Sequence, residues 1–225
     1  MEITPIAVIH NAFSDKFGIP RQSGRSESIV SEIVFEPAYR APEALREIEG
    51  FDYLWLIFGF SEAPYGTFSP TVRPPRLGGN RRVGVFASRA PYRPNSLGLS
   101  SVRLLSAERT EDRGTVLRVG GADLLDGTPI FDIKPYLSFS DSHPDAINGF
   151  AEQSKDYRLP VIWGIIVPQC AEGQKKQIEE ILSQDPRPSY QSNPTRVYKL
   201  DYASARVSFM VQNDGVHVIN YEQIC

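Results

Sequence analysis

The chain has 225 residues, of which 41% are hydrophobic, and carries 24 lysines and arginines against 27 aspartates and glutamates. Such a length supports one large domain, or a large and a small one, and the composition excludes a disordered polyelectrolyte and a generally cationic surface. Two cysteines, Cys170 and Cys225, and three histidines, His10, His143 and His217, are too few and too scattered for a disulfide framework or a metal-ligand cluster. The longest apolar stretch, residues 54–60, falls far short of the roughly 20 residues that span a bilayer. The start of the chain lacks the basic, then apolar, pattern of a signal peptide, so a cytoplasmic, metal-free protein is expected.

In chain order, residues 3–10 are apolar and β-branched and predict a first strand. Residues 14–28, with Gly18, Pro20 and Gly24, predict a long loop, and residues 29–35 a second strand. Residues 42–48 begin with proline and are followed by Gly50, which predicts one short helix. The aromatic-rich run 51–60 predicts a strand buried on both faces. Further strands are expected at 83–88, 99–108, 115–120 and 129–134, with Glu111-Asp112-Arg113-Gly114 turning a hairpin. Short strands at this spacing predict a mainly β fold with a single-sheet antiparallel β-barrel over residues 1–140, closed so that few edges are left unpaired. Residues 141–159 read as a polar linker with one helical turn near Pro144. A small α+β domain is expected at 160–225. It holds a strand at 161–167, an amphipathic helix at 172–183 with Ile178, Ile181 and Leu182 inward, and strands at 197–202, 206–211 and 216–221. Asn213-Asp214-Gly215 turns the last hairpin.

The most informative segment is 63–107. It holds seven arginines (Arg73, Arg76, Arg81, Arg82, Arg89, Arg93 and Arg103), no lysine and none of the 27 acidic residues. Guanidinium is permanently charged and binds phosphate or carboxylate through two parallel bonds. A solvated basic face is the bland alternative, but the absence of interleaved acids favours an anionic partner. Prolines and glycines through the same segment put many of these charges on loops. Fingerprints of dinucleotide-binding folds, P-loops, nucleophile-elbow hydrolases and zinc proteases are absent. Three segments read as site material: Pro20-Arg21-Gln22, the loop 89–98, and Asp123 to Pro129 leading into Asp132-Ile133-Lys134-Pro135-Tyr136. A plain turn remains an equal reading of Asp126-Gly127.

The run Thr71-Val72-Arg73-Pro74-Pro75-Arg76-Leu77-Gly78-Gly79-Asn80, then Gly84-Val85-Phe86-Ala87-Ser88-Arg89, Arg93-Pro94-Asn95, Asp126-Gly127-Thr128-Pro129 and Asp132-Ile133-Lys134-Pro135-Tyr136, resembles the TrmO (TsaA-like, YaeB-like) family. Asp185-Pro186-Arg187-Pro188-Ser189-Tyr190 extends the resemblance into the second domain. It implies a S-adenosylmethionine-dependent enzyme that methylates N6 of threonylcarbamoyladenosine beside the tRNA anticodon. It also implies a barrel that binds the cofactor without a Rossmann domain, and a homodimer. By motif match the cofactor falls to Pro20, Arg21, Gln22, Ser61, Glu62, Arg89, Leu99, Leu124, Leu125, Asp126 and Gly127. The tRNA anticodon stem-loop falls to Arg73, Arg76, Arg81, Arg82, Arg93, Asn95, Tyr136 and Arg187. Two positions depart from the family: Ser61 stands where histidine is frequent, and Ser96 where a proline commonly follows Arg-Pro-Asn.

Methyl transfer to an acylated N6 requires a proton acceptor, or a cation that stabilises charge on the neighbouring carbonyl. Asp126 is the candidate for the first role and Lys134 for the second. Two other classes of function stay open at this point: a non-catalytic RNA-binding barrel, and a methyltransferase for a small acidic metabolite.

Overall fold

The computed structural model describes residues 2–62, 68–77, 80–167, 172–188 and 191–224. Strands dominate. The first two thirds supply β1 (Ala7–His10), β2 (Val30–Phe35), β3 (Tyr53–Gly59), β4 (Thr71–Val72), β5 (Val83–Gly84), β6 (Leu97–Thr110), β7 (Gly114–Gly120) and β8 (Pro129–Pro135). Six of them form a closed barrel in the order β1-β2-β7-β6-β3-β8, with β8 returning to β1. All six pairings are antiparallel. Strands β4 and β5 form a separate two-stranded flap. The chain as a whole therefore carries more than one sheet.

Alternation sets the barrel interior. Ile33 and Phe35 on β2, Leu54, Leu56 and Phe58 on β3, and Leu117 and Val119 on β7 point into one core with Ile9, Val102, Leu124 and Ile130. The strand expected to be buried on both faces has only one buried face. Tyr53 is exposed, and Trp55 and Ile57 are half-covered. The cover on this outer face is local: Tyr136 packs on Tyr53 and Trp55, and the Trp55 indole N–H donates to Asp141.

Three other expectations change. The segment 83–88 is a two-residue strand followed by the 3-10 turn Val85–Ala87, because Ser88 folds back on the Val85 carbonyl through both N–H and hydroxyl. The helix at 42–48 is instead two 3-10 turns, Pro42–Leu45 and Ile48–Gly50, interrupted by Glu47 in the left-handed region at φ 67°. A side chain there cannot continue a right-handed helix. The strand at 161–167 stops at Trp163.

After α1 (Ser138–Asp141) and the 3-10 segment Gly149–Ser154 come β9 (Val161–Trp163), α2 (Glu172–Ser183), β10 (Tyr198–Tyr202), β11 (Ala205–Gln212) and β12 (Gly215–Gln223). The four strands form one sheet in the order β10-β11-β12-β9, with β9 parallel to β12. Helix α2 buries Ile178, Ile181 and Leu182 against it, the face its spacing predicts.

This second core is not made by the C-terminal segment alone. Phe13 and Ile29, from the loop between β1 and β2, are buried in it, with Phe17 and Ile19 alongside. Gly18 adopts φ +98°, and an added Cβ would meet Leu200 Cδ1 at 2.4 Å, so the loop passes too close for a side chain. Polar clasps accompany the packing. Gln177 donates to the Ser28 carbonyl at 2.9 Å, Gln184 to the Ser26 hydroxyl at 2.7 Å, and Ser28 N–H to Glu180 at 3.2 Å.

Candidate active site

The rim of the barrel at the C-terminal end of β3 and the N-terminal ends of β6 and β8 gathers most of the expected cofactor residues. Three connections converge there: the 11–29 loop, the β5–β6 loop and the turn between β7 and β8. Arg89 donates to the side-chain carbonyl of Gln22, joining the first two. Asp123, in the third, accepts a 2.6 Å hydrogen bond from Ser100 on β6. Burial pushes the Asp123 carboxyl above the ordinary aspartate range, while the Ser100 hydroxyl, Arg89 and Ser23 pull against that shift. The half-buried Asp123 therefore lies within electrostatic reach of the same guanidinium that Gln22 holds.

The turn itself is fastened to the end of β1. Asp126 accepts the Asn11 N–H at 3.0 Å and lies 3.3 Å from His10 Nδ1. Asn11 in turn donates to the Leu124 carbonyl at 2.9 Å. Gly127 holds φ +76° and donates its N–H to the Ile9 carbonyl, a tight turn for which glycine is the natural residue. Leu124 packs its side chain into the barrel core, so only its backbone faces the rim. The Leu125 carbonyl is taken by Thr128. Ser61 and Glu62 follow β3 as exposed residues, and Lys16 donates to the Glu62 carbonyl at 3.1 Å. Pro20 is buried, and Arg21 reaches the Arg187 carbonyl at 3.4 Å. The Arg187 guanidinium is held 2.9 Å from Asp185, which also accepts from Tyr157. Arg187 thus anchors the C-terminal loop beside Arg21.

Other expected residues lie elsewhere. Lys134 sits near the far end of β8, five residues beyond Pro129 or roughly 16 Å along the strand, and pairs with Asp132 at 2.9 Å. Strand β8 thus carries Lys134 away from the turn that holds Asp126. Tyr136 lies two residues further, its ring edge-on to Tyr53 and tilted against Trp55. Leu99 is exposed on the barrel's outer face opposite Ile57, whereas its neighbour Ser100 turns inward to Asp123.

The arginines of the window divide by environment. Arg93 is a scaffold of its own loop, donating to the Val85 and Ser88 carbonyls at 3.1 and 2.8 Å. Arg82 donates to the Thr71 hydroxyl at 2.7 Å across the flap. Arg73, Arg81 and Asn95 are exposed. Arg76 lies on the turn Pro75–Leu77, but its side chain is outside the described residues, as are Gly78, Gly79, Ser189 and Tyr190. Ser96 occupies the left-handed region at φ 44°, and its N–H and hydroxyl both turn to the Arg93 carbonyl. A proline, fixed near φ −65° and lacking an N–H, cannot replace it in this conformation. Ser96 is thus a defined cap of the loop.

Sequence reasoning gave no individual role to His10, Asn11, Ser100 or Asp123. Asp123 and Asp126 look alike in an Asp-Leu-Leu-Asp run; only the fold half-buries one and leaves the other exposed. Among the described residues there is no group of three or more potential metal ligands, and no helix is long and apolar enough to cross a membrane.

Fold and site together define a non-Rossmann barrel protein with a mixed-charge rim beside an arginine-rich flap. Residues 8–142 match the tRNA-methyltransferase O N-terminal domain and residues 166–224 the TrmO C-terminal domain, so the chain belongs to the TrmO family. A tRNA (adenine(37)-N6)-methyltransferase of Escherichia coli is 37% identical, with 96% of each chain covered. One from Eikenella corrodens is 48% identical over 72% of this chain and 92% of its own. A Pseudomonas aeruginosa relative, provisionally named an S-adenosylmethionine-dependent methyltransferase, is 40% identical over 87% of this chain and 86% of its own. The crystal structure of TrmO from Pseudomonas aeruginosa superposes with a TM-score of 0.78 at 32% identity, covering 99% of this chain and 98% of that one.

Proposed function

We propose that this protein uses S-adenosylmethionine to methylate N6 of threonylcarbamoyladenosine beside the anticodon of tRNA. The observation that carries the reading is the match to a tRNA (adenine(37)-N6)-methyltransferase along nearly the whole chain, through both family domains. The chemistry of the rim supports the cofactor. S-adenosylmethionine carries a carboxylate, an ammonium, a sulfonium and an uncharged adenosine. The rim offers guanidinium groups at Arg21 and Arg89, carboxylates at Asp123, Asp126 and Glu62, and backbone groups of the 124–127 turn. A donor set with both signs suits a zwitterion better than a simple anion.

When bound, the cofactor supplies an electrophilic methyl group. The chain's own residues have three tasks. Arg89, fixed by Gln22 and balanced by Asp123, orients the bound molecule so that attack is in line. Asp126 is the proton acceptor in this proposal: it is exposed at the rim, and its fastening to Asn11 and His10 holds the carboxylate in place. The flap arginines Arg73, Arg81 and Arg82 face RNA phosphates or the threonine carboxylate of the base. Lys134, at the far end of β8, is left without a catalytic role within a single copy of the chain. Cytoplasmic location and a homodimer complete the proposal, the dimer from the family resemblance.

Mass spectrometry of anticodon-loop fragments decides the matter. After incubation with the cofactor, tRNA carrying threonylcarbamoyladenosine should gain one methyl group and tRNA lacking that modification should gain none. Equal methylation of both, or of neither, removes the proposal.

A further inference from the structure

Phe86 is 71% exposed, Phe68 52% and Tyr92 44%, an unusual concentration of bare aromatic surface on one small flap. The rings of Phe68 and Phe86 lie 6.4 Å apart at an interplanar angle of 29°, and the Arg93 guanidinium sits 5.5 Å from the Phe86 centroid. Backbone bonds hold the group together. Ser69 N–H donates to the Tyr92 carbonyl at 3.3 Å, Val85 N–H to the Pro70 carbonyl at 3.0 Å, and Arg93 to the Val85 and Ser88 carbonyls. The rings are therefore preorganised but not buried, the opposite of what a packing role produces.

We propose that Phe86, flanked by Phe68 and braced by Arg93, is a stacking platform for an unpaired nucleobase of the RNA. The proposal rests on the tRNA reading above and adds a binding site to it. Charge decides the occupant. No acidic residue lies in 63–107, whereas Arg73, Arg81, Arg82, Arg89 and Arg93 do. Single-stranded RNA is the partner that brings π-faces and phosphates together, and aromatic rings interleaved with guanidinium groups are how proteins hold it. Position fits as well: Phe86 is three residues from Arg89, so the platform lies within ~11 Å of the cofactor rim by chain length alone. A base neighbouring the target can rest on the ring while the target turns toward the rim.

The test compares Phe86→Leu and Phe86→Trp in the full-length protein, with an anticodon stem-loop RNA carrying threonylcarbamoyladenosine. Phe86→Leu should raise KM for RNA by about 5- to 150-fold, the range that removal of one base–aromatic stack produces. It should leave calorimetric cofactor affinity and the salt slope of RNA binding as they are, since a ring releases no counterions. Phe86→Trp should keep KM within a few-fold and show indole fluorescence quenched on adding the stem-loop. Three outcomes overturn the platform: unchanged KM in Phe86→Leu, no quenching in Phe86→Trp, or a shift in oligomeric state by light scattering, which makes the patch an interface between copies. Should wild-type protein fail to methylate the modified RNA, the function proposed above falls. Should it succeed while Phe86→Leu performs equally, only the platform does.

Discussion

Two long irregular segments cross the barrel, and they are opposites in construction. The 11–29 loop is sewn into the second core by Phe13 and Ile29 and by hydrogen bonds to Gln177, Glu180 and Gln184. The 68–96 segment makes a two-stranded flap, leaves Phe68, Phe86 and Tyr92 open, and braces itself with its own Arg93. Both read from the sequence as loops, although only the second is acid-free and dense in proline, glycine and arginine. In the proposed function this difference becomes a division of labour: one loop derives rigidity from a hydrophobic anchor and presents fixed groups to the cofactor, while the other is left open for the RNA. They meet where Arg89 donates to Gln22.

The anchor can be broken directly. Phe13→Ala should lower stability by about 3–5 kcal/mol, the usual cost of emptying an aromatic site in a core. Because Phe13 belongs to the second core, thermal unfolding should lose cooperativity between the barrel and the C-terminal sheet. A Tm equal to wild type would show that the loop is not structurally anchored. Removing the meeting point comes next. Arg89→Ala should weaken S-adenosylmethionine binding by roughly ten- to a hundredfold, as expected when a charge-assisted hydrogen bond is removed, with the salt dependence of tRNA binding unaltered. Calorimetry measures the first quantity and filter binding the second.

Asp123 sharpens the comparison through pH. Burial raises its folded pKa, so its contribution to stability is complete below the ordinary aspartate value and is lost as pH rises through the raised one. Asp123→Asn should therefore gain Tm relative to wild type between mildly acidic and neutral pH, while binding the cofactor several-fold less tightly because Arg89 loses its counter-charge. A variant less stable than wild type at neutral pH would mean that Asp123 and Arg89 form a net stabilising pair. The smallest effect belongs to the flap. Changing Arg81 and Arg82 together to Ala should leave cofactor affinity intact and flatten the log–log salt slope of tRNA binding by about 0.7–0.9 for each phosphate no longer neutralised. If both arginine changes weaken the cofactor equally and neither moves the slope, the two loops form one pocket and the division fails.

Much of this molecule is legible without coordinates, for reasons that are local. The hairpin at 111–114, the strands β2, β7 and β8, and the apolar face of α2 follow from alternation, turn chemistry and helical period, which depend on near neighbours in the chain. The concentration of arginine in an acid-free window, and the ordered motifs that resemble the TrmO family, are likewise properties of the sequence itself. They suffice to point to the proposed cofactor rim at 20–22, 89 and 124–127.

What tertiary structure alone decided is which of these residues share a place. Lys134 and Asp126 are close in sequence, yet an extended strand carries them apart at about 3.3 Å per residue. Asp123 and Ser100 are distant in sequence, yet barrel closure brings them to 2.6 Å. The fate of Phe13 was equally hidden, since nothing near it in the chain says that its ring will fill a core built mostly from residues after 160. Even Ser96 shows the limit: its hydroxyl and N–H are written in the sequence, but the left-handed backbone that uses both is imposed by the loop around it. Local pattern determines what each segment can become. Burial and long-range pairing determine which side chains meet, because those energies depend on neighbours brought together only by the closed fold.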